Sequence, residues 1–181
     1  FFPMPDMDLK KVILVAAFIA VAVVVFLVKE AINKKKGESG EDLAKVRQVI
    51  DKLLPGSGSY TTAYATYMSD QSVGNRIRKY YYHYAIAFKP GSLFVVPIQY
   101  SGGEISFQGS GTMLTKDNLG KLKPKGDSCA FFDKSGKELC TFCVYASNTR
   151  QDKYQPFNIQ QKEQAEAYQS FLQELIAQVN G

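Results

Sequence analysis

The sequence contains no tryptophan and a single histidine, His83, among its 181 residues. With so few imidazoles, general acid–base catalysis has little to work with. His83 lies within Tyr80-Tyr81-Tyr82-His83-Tyr84, a run that reads as strand interior, where an imidazole packs. A catalytic base is the other reading of the same residue. There is no Gly-X-Ser-X-Gly elbow, no glycine-rich phosphate loop and no dinucleotide fingerprint. Gly102-Gly103 and Gly109-Ser110-Gly111 fit tight turns and a bulge. The carboxylates are scattered over turns and one helix face. The expectation is a non-enzymatic protein with no catalytic residue and no cofactor.

Cysteine is also scarce. Cys129, Cys140 and Cys143 are an odd number, and no Asn-X-Ser/Thr acceptor occurs anywhere in the chain. Unpaired thiols fit a reducing, cytosolic compartment. Cys140 and Cys143 form a Cys-X-X-Cys pair, which suits zinc or redox chemistry in a tight turn or at a helix start. Here the pair falls in a strand pattern, so the two sulfurs point to opposite faces. Strand thiols are the expectation; a metal site drawing on Cys129, Cys140 and Cys143, with His83, is the alternative. Charge of one sign is not in great excess either. Residues 1–59 carry nine Lys/Arg against seven Asp/Glu, and residues 60–181 carry thirteen against ten. A net charge of +5 split in this way gives no nucleic-acid footprint.

What the chain does have is an unbroken apolar run, Val12 to Val28, with no polar side chain. At about 1.5 Å per residue it covers roughly 25 Å, and Leu9 lengthens it toward the roughly 30 Å hydrocarbon layer. Lys10, Lys11 and Lys29 flank it and can snorkel. No small-residue cleavage site follows, so a retained single-pass anchor is expected, not a removed signal peptide. Lys29, Lys34, Lys35 and Lys36 downstream outnumber Lys10 and Lys11 upstream, which places the downstream part in the cytoplasm, beneath the cell membrane. Those four lysines also suit an anionic membrane surface. The organisation expected is a tail over 1–8, a transmembrane helix with basic flank over 9–36, a linker with a short amphipathic helix over 37–58, and a folded domain over 59–181.

Ser39 to Asp42 reads as a helix cap, and Leu43, Val46, Ile50 and Leu53 recur at heptad spacing before Pro55-Gly56 ends the pattern. So short a seam lies on the following domain or the membrane surface; self-association through 9–54 is the alternative. Strand patterns then run from Tyr60 to Met68, Tyr80 to Phe88, Ser92 to Tyr100, Glu104 to Ser110, Thr112 to Thr115, Leu119 to Lys123, Cys129 to Phe132 and Leu139 to Ala146. Pro90-Gly91 and Asp133-Lys134-Ser135-Gly136 are the clearest turns. With the two weak segments around Gly109 and Gly111 taken together, that is about seven antiparallel strands, a barrel or sandwich. A helix over 159–180 closes the chain, capped by Asn158 with Gln161 completing a capping box, and with Tyr168, Phe171, Leu172, Leu175, Ile176 and Val179 on one face.

Seven strands followed by one amphipathic helix resembles a pleckstrin-homology-like domain over roughly Ser59 to Gly181. The Asp133–Gly136 hairpin, the strand Leu139–Ala146 and the final helix are similar to that fold's last hairpin and capping helix. The resemblance implies a mainly-β barrel closed by the C-terminal helix. It also implies a loop-borne site for a protein partner or anionic lipid headgroup. Of the basic motif that lipid-binding members carry after the first strand, this chain has Arg76, Arg78 and Lys79, in the connection Ser69 to Lys79. With Lys134 and Lys137 in the late turn and Ser101–Gly103, they form the expected binding end. Lys121, Lys123 and Lys125 alternate along one strand face, as a charged edge that resists aggregation or, alternatively, a basic patch. The function expected is a membrane-anchored adaptor or accessory subunit. The alternative is an envelope-filament subunit with an extracytoplasmic soluble domain. A first residue Phe1 and an apolar helix are similar to mature type IV pilins, but Pro3 and Pro5 oppose a helix from the first residue.

Overall fold

The computed structural model describes the backbone of residues 9–38, 41–150 and 154–181 and, in the first helix, the side chains of 12–31. The tail 1–8, the side chains of Lys34, Lys35 and Lys36, and Ser39-Gly40 of the expected cap lie outside the described residues. The chain divides into two units, residues 1–36 and 37–181.

Helix α1 (Leu9–Glu38) carries the apolar run. Its segment Val12–Ala31 is long and apolar enough to cross a membrane, and none of it is covered by protein. Leu14 and Phe18 are three-quarters exposed, so this surface is apolar on every side. Lys29 is exposed at its downstream end.

The second unit begins with α2 (Glu41–Leu53), whose stripe Val46, Val49 and Ile50 is buried. Those residues pack with Tyr64, Ala85, Phe94 and Val96, so the helix lies on the sheet that follows it. Its heptad seam is occupied within the unit.

The main sheet has the order β1 (Thr61–Val73), β2 (Arg76–Lys89), β3 (Ser92–Ser101), β4 (Glu104–Phe107), with β5 (Thr112–Thr115) also paired to β3. All pairings are antiparallel. β3 serves β5 along Ser92–Val95 and β4 along Ile98–Ser101. Pro97, which has no N–H to donate, sits between the two. Gly111 makes the switch possible: its φ is +79°, and a Cβ there would strike the Phe94 ring. A second sheet runs β6 (Leu119–Lys125), β7 (Ser128–Asp133), β8 (Glu138–Phe142), and a small pair joins β9 (Ser147–Asn148) to β10 (Ile159–Gln160). Helix α3 (Lys162–Asn180) closes the chain.

Strand alternation gives the main sheet two buried faces. Ala63, Ala65, Ile86 and Phe88 look toward Phe131 and Phe142 of the second sheet and Tyr168 and Phe171 of α3. Tyr64, Ala85 and Ala87 look toward α2 and Phe157. The expected face of α3 is the buried one, with Tyr168, Phe171 and Leu175 innermost.

Three expectations change. A closed barrel is not found: among the described residues, the two larger sheets are joined by one bridge, Thr66 to Cys143. The expected strand Leu139–Ala146 stops at Phe142, because Cys143 turns to that bridge and Ser147 starts another pairing. And α3 starts at Lys162 without a capping box. Asn158 instead accepts from Arg150 N (2.7 Å), while Gln161 spends its amide elsewhere, donating to Tyr64 O and Tyr145 O (2.8 Å each) and accepting from Tyr64 N (2.9 Å).

The free edge of β6 is managed in two ways. Lys121, Lys123 and Lys125 are exposed along it, as expected of a charged edge. Asn180, at the end of α3, imitates a neighbouring strand: its amide donates to Leu122 O (2.7 Å) and accepts from Leu122 N (3.0 Å). Replacing Asn180 by Ala removes both bonds, and urea unfolding is expected to show a loss of about 1–2 kcal/mol.

Candidate functional site

His83 faces α2's side of the main sheet. Its Nδ1 lies 2.6 Å from the Tyr64 hydroxyl, and its ring lies between Tyr64 (6.0 Å) and Phe157 (5.2 Å). Burial lowers its pKa below the usual imidazole value, since the charged form loses water. Burial pushes the Tyr64 phenol above its usual range. A depressed folded pKa means that the unfolded chain takes up its proton first. The stability His83 contributes is therefore complete above about pH 6.5 and erodes as pH falls from there to its folded pKa. Unfolding measured between pH 7.5 and 5 is expected to show this acid-side slope, and His83→Phe to flatten it.

The thiols are free. Burial raises Cys129 to about 11 and Cys140 to about 12. Cys143 is raised by burial too, and its thiol donates to Thr66 O at 3.2 Å. Metal and redox chemistry use the thiolate, which these surroundings disfavour. Among the described residues, no three His, Cys, Asp or Glu side chains gather where a metal ion could sit.

The basic cluster stands on a strand. Ser69–Lys79 is not a loop: β1 and β2 stay paired out to Val73 and Arg76, joined by the two-residue turn Gly74-Asn75 with Gly74 at φ +61°. That is the primed turn that suits strand twist. Beyond Tyr84, β2 has left β3, and the paired strands project as a two-stranded finger. Alternation divides the cluster. Arg76 and Arg78 share a face with Tyr80, Tyr82 and Tyr67, whereas Lys79 shares the other with Ile77, Met68 and Tyr81. Arg76, Arg78 and Lys79 are all exposed, and so is Ile77, at 73%.

Lys134 and Lys137 flank the β7–β8 turn. Asp133 Oδ1 organises it by accepting from Ser135 N, Ser135 Oγ and Lys137 N at 2.8, 2.6 and 3.0 Å. These bonds hold the Asp133 carboxyl below its usual pKa. The register of the Thr66–Cys143 bridge puts this turn, the Gly102-Gly103 turn and the finger at the same end of the two sheets. The expected convergence is thus directional, with the two lysines on a separate sheet.

Between that sheet and the finger lies an open cleft of about 400 Å³, lined by Tyr67, Tyr82, Tyr84, Cys140 and Glu138, with Lys125 beside them. The Tyr67 and Tyr82 rings stack at 6.3 Å. Burial, with Cys140 nearby, pushes Tyr84 up to about 12. The sequence reading missed this cleft, because the pattern of each strand does not say where two sheets part. It missed the finger for a different reason. Gly74-Asn75 is a hairpin signal, but the polar strand ends beside it look like loop. The chain matches no family model, no curated protein and no solved structure.

Proposed function

We propose that this chain is a non-enzymatic, single-pass membrane adaptor or accessory subunit whose globular unit engages a partner protein at the cytoplasmic surface. The observation that carries this reading is the finger. It exposes Ile77, Val73, Met68, Tyr80 and Tyr82 together with three cations, a costly surface for a hairpin that serves only its own fold. The cytoplasmic placement rests on the excess of downstream lysines and on three free thiols. The pleckstrin-homology-like resemblance contributes as an architecture: a larger sheet, a three-stranded sheet and a C-terminal helix packed between them, here without closure. Anchoring would raise the effective concentration at the membrane, so that weak contacts suffice.

The test is affinity capture of the full-length protein from mildly solubilised native membranes, as wild type and as the Arg76→Glu/Arg78→Glu variant. A stoichiometric partner held by the wild type and lost by the variant is the expected result. Capture indifferent to the charge reversal would overturn the reading. So would digestion of the globular unit by protease added to intact cells, which would return the extracytoplasmic, structural alternative.

A further inference from the structure

We propose that the free edge of β1 takes an extended, acidic segment of the partner protein as an added strand, seated where β1 and β8 part. This rests on the adaptor reading and specifies its ligand.

The first observation is a row of backbone groups. Along an antiparallel strand, alternate residues turn N–H and C=O away from the paired neighbour. On β1 the outward residues are Tyr64, Thr66, Met68, Asp70 and Ser72. Tyr64 is satisfied by the Gln161 amide and Thr66 by Cys143, at 3.0 and 2.9 Å. Among the described residues, the next three have no backbone partner on that side. Unpaired rungs beside an aligned pair are a template for strand addition.

The second observation is a hollow on each side of this edge. An added strand sends alternate side chains to opposite faces. One face opens to the tyrosine cleft and the other to a hollow of about 460 Å³ bordered by Thr66, Met68, Tyr81 and Tyr145.

Charge then selects the occupant. Arg76, Arg78, Lys79, Lys125, Lys134 and Lys137 flank the opening. Four acids stand near them: Asp70, opposite Lys79 in the register; Asp127, close to Cys143 and Tyr145; Asp133, in its turn; and Glu138, which accepts from the Thr141 hydroxyl. The balance of charge is cationic, so it favours an acidic strand over a basic one. With Glu on one face and Val on the other, such a strand offers carboxylates to Arg76 and Arg78 and methyls to Met68 and Ile77.

The experiment uses the full-length protein in phosphatidylcholine nanodiscs, titrated with a capped peptide of alternating Glu and Val. Controls are its Lys/Val counterpart and the Glu/Val peptide N-methylated along one edge. The Glu/Val peptide is expected to bind and to slow amide exchange at Met68, Asp70 and Ser72, with both controls at least about tenfold weaker. Asp70→Pro removes an outward N–H that β2 does not use, and it should weaken binding about tenfold while circular dichroism and Tm hold. Arg76→Glu/Arg78→Glu should do the same by charge. Binding indifferent to Asp70→Pro, or none up to about 1 mM, overturns the proposal. So does binding confined to phosphatidylserine vesicles, which would make lipid the ligand. Protection of Met68–Ser72 that grows with protein concentration alone would put a second copy of this chain on the edge instead. If the peptide fails while capture from membranes still depends on Arg76 and Arg78, strand addition falls and the adaptor reading stands. If capture is indifferent too, both fall.

Discussion

Gln161→Leu is expected to destabilise the globular unit by about 4 kcal/mol. Gln161 is 1% exposed and stands where β10 ends and α3 begins. Its side chain works as a rung of sheet, exchanging two hydrogen bonds with the buried backbone of Tyr64 and donating a third to Tyr145 O. Leucine keeps most of the volume and none of the bonds, leaving Tyr64 N–H and two carbonyls without partners. Each buried orphan costs about 1–3 kcal/mol. A unit of this size loses about 2–4 °C per kcal/mol, so the Tm should fall by about 12 °C. Gln161→Glu separates bonding from packing. It keeps the acceptor for Tyr64 N but loses both donated bonds and buries a carboxyl group, so it should be no milder than leucine.

The second large effect is expected at Asp42, where Asp42→Ala should cost about 2 kcal/mol. Asp42 is 5% exposed in the first turn of α2, where a carboxylate suits the helix dipole. Its Oδ2 accepts from Asn158 N at 2.8 Å and lies 3.5 Å from Arg150 Nη2, which also reaches the Tyr100 hydroxyl at 3.0 Å. The helix that covers the main sheet is thereby tied to the chain entering β10. The lost bond to Asn158 N–H should dominate. Arg150 is half exposed, and Lys45 lies 3.9 Å away and is partly solvated, so their ion pairs add little. Asp42→Asn retains an acceptor for Asn158 N and should cost less than half as much. Equal losses for the two variants, by chemical denaturation, would mean that charge and not the hydrogen bond holds the helix.

Local periodicity made much of this unit legible. The apolar run became α1, the heptad stripe Val46 and Ile50 became the buried face of α2, and Tyr168, Phe171 and Leu175 became that of α3. Pro90-Gly91 and Asp133–Gly136 turn where their chemistry demands. What stayed hidden depends on partners distant in sequence. Asn158 and Gln161 carry cap chemistry, yet Arg150 and Tyr64 compete for the same atoms, and nothing near residue 161 reports that. Closure of the barrel turns on whether β1 and β8 pair over several residues or one. At the finger, Ser69 to Lys79 holds an ordinary hairpin signal in Gly74-Asn75, masked by polar residues that a projecting strand exposes on both faces. The cationic cluster was found by composition, but its division between two faces required the register.

If the strand addition proposed above occurs, a partner protein lies along the β1 edge. A photo-crosslinking residue placed at Ser72 of the full-length chain, activated in native membranes, tests it most directly. One protein adduct of defined mass is expected, abolished by Asp70→Pro and by Arg76→Glu/Arg78→Glu, and absent when the same probe replaces Lys116 in the β5–β6 connection. Adducts with lipid alone, or a protein adduct that survives both variants, would contradict it.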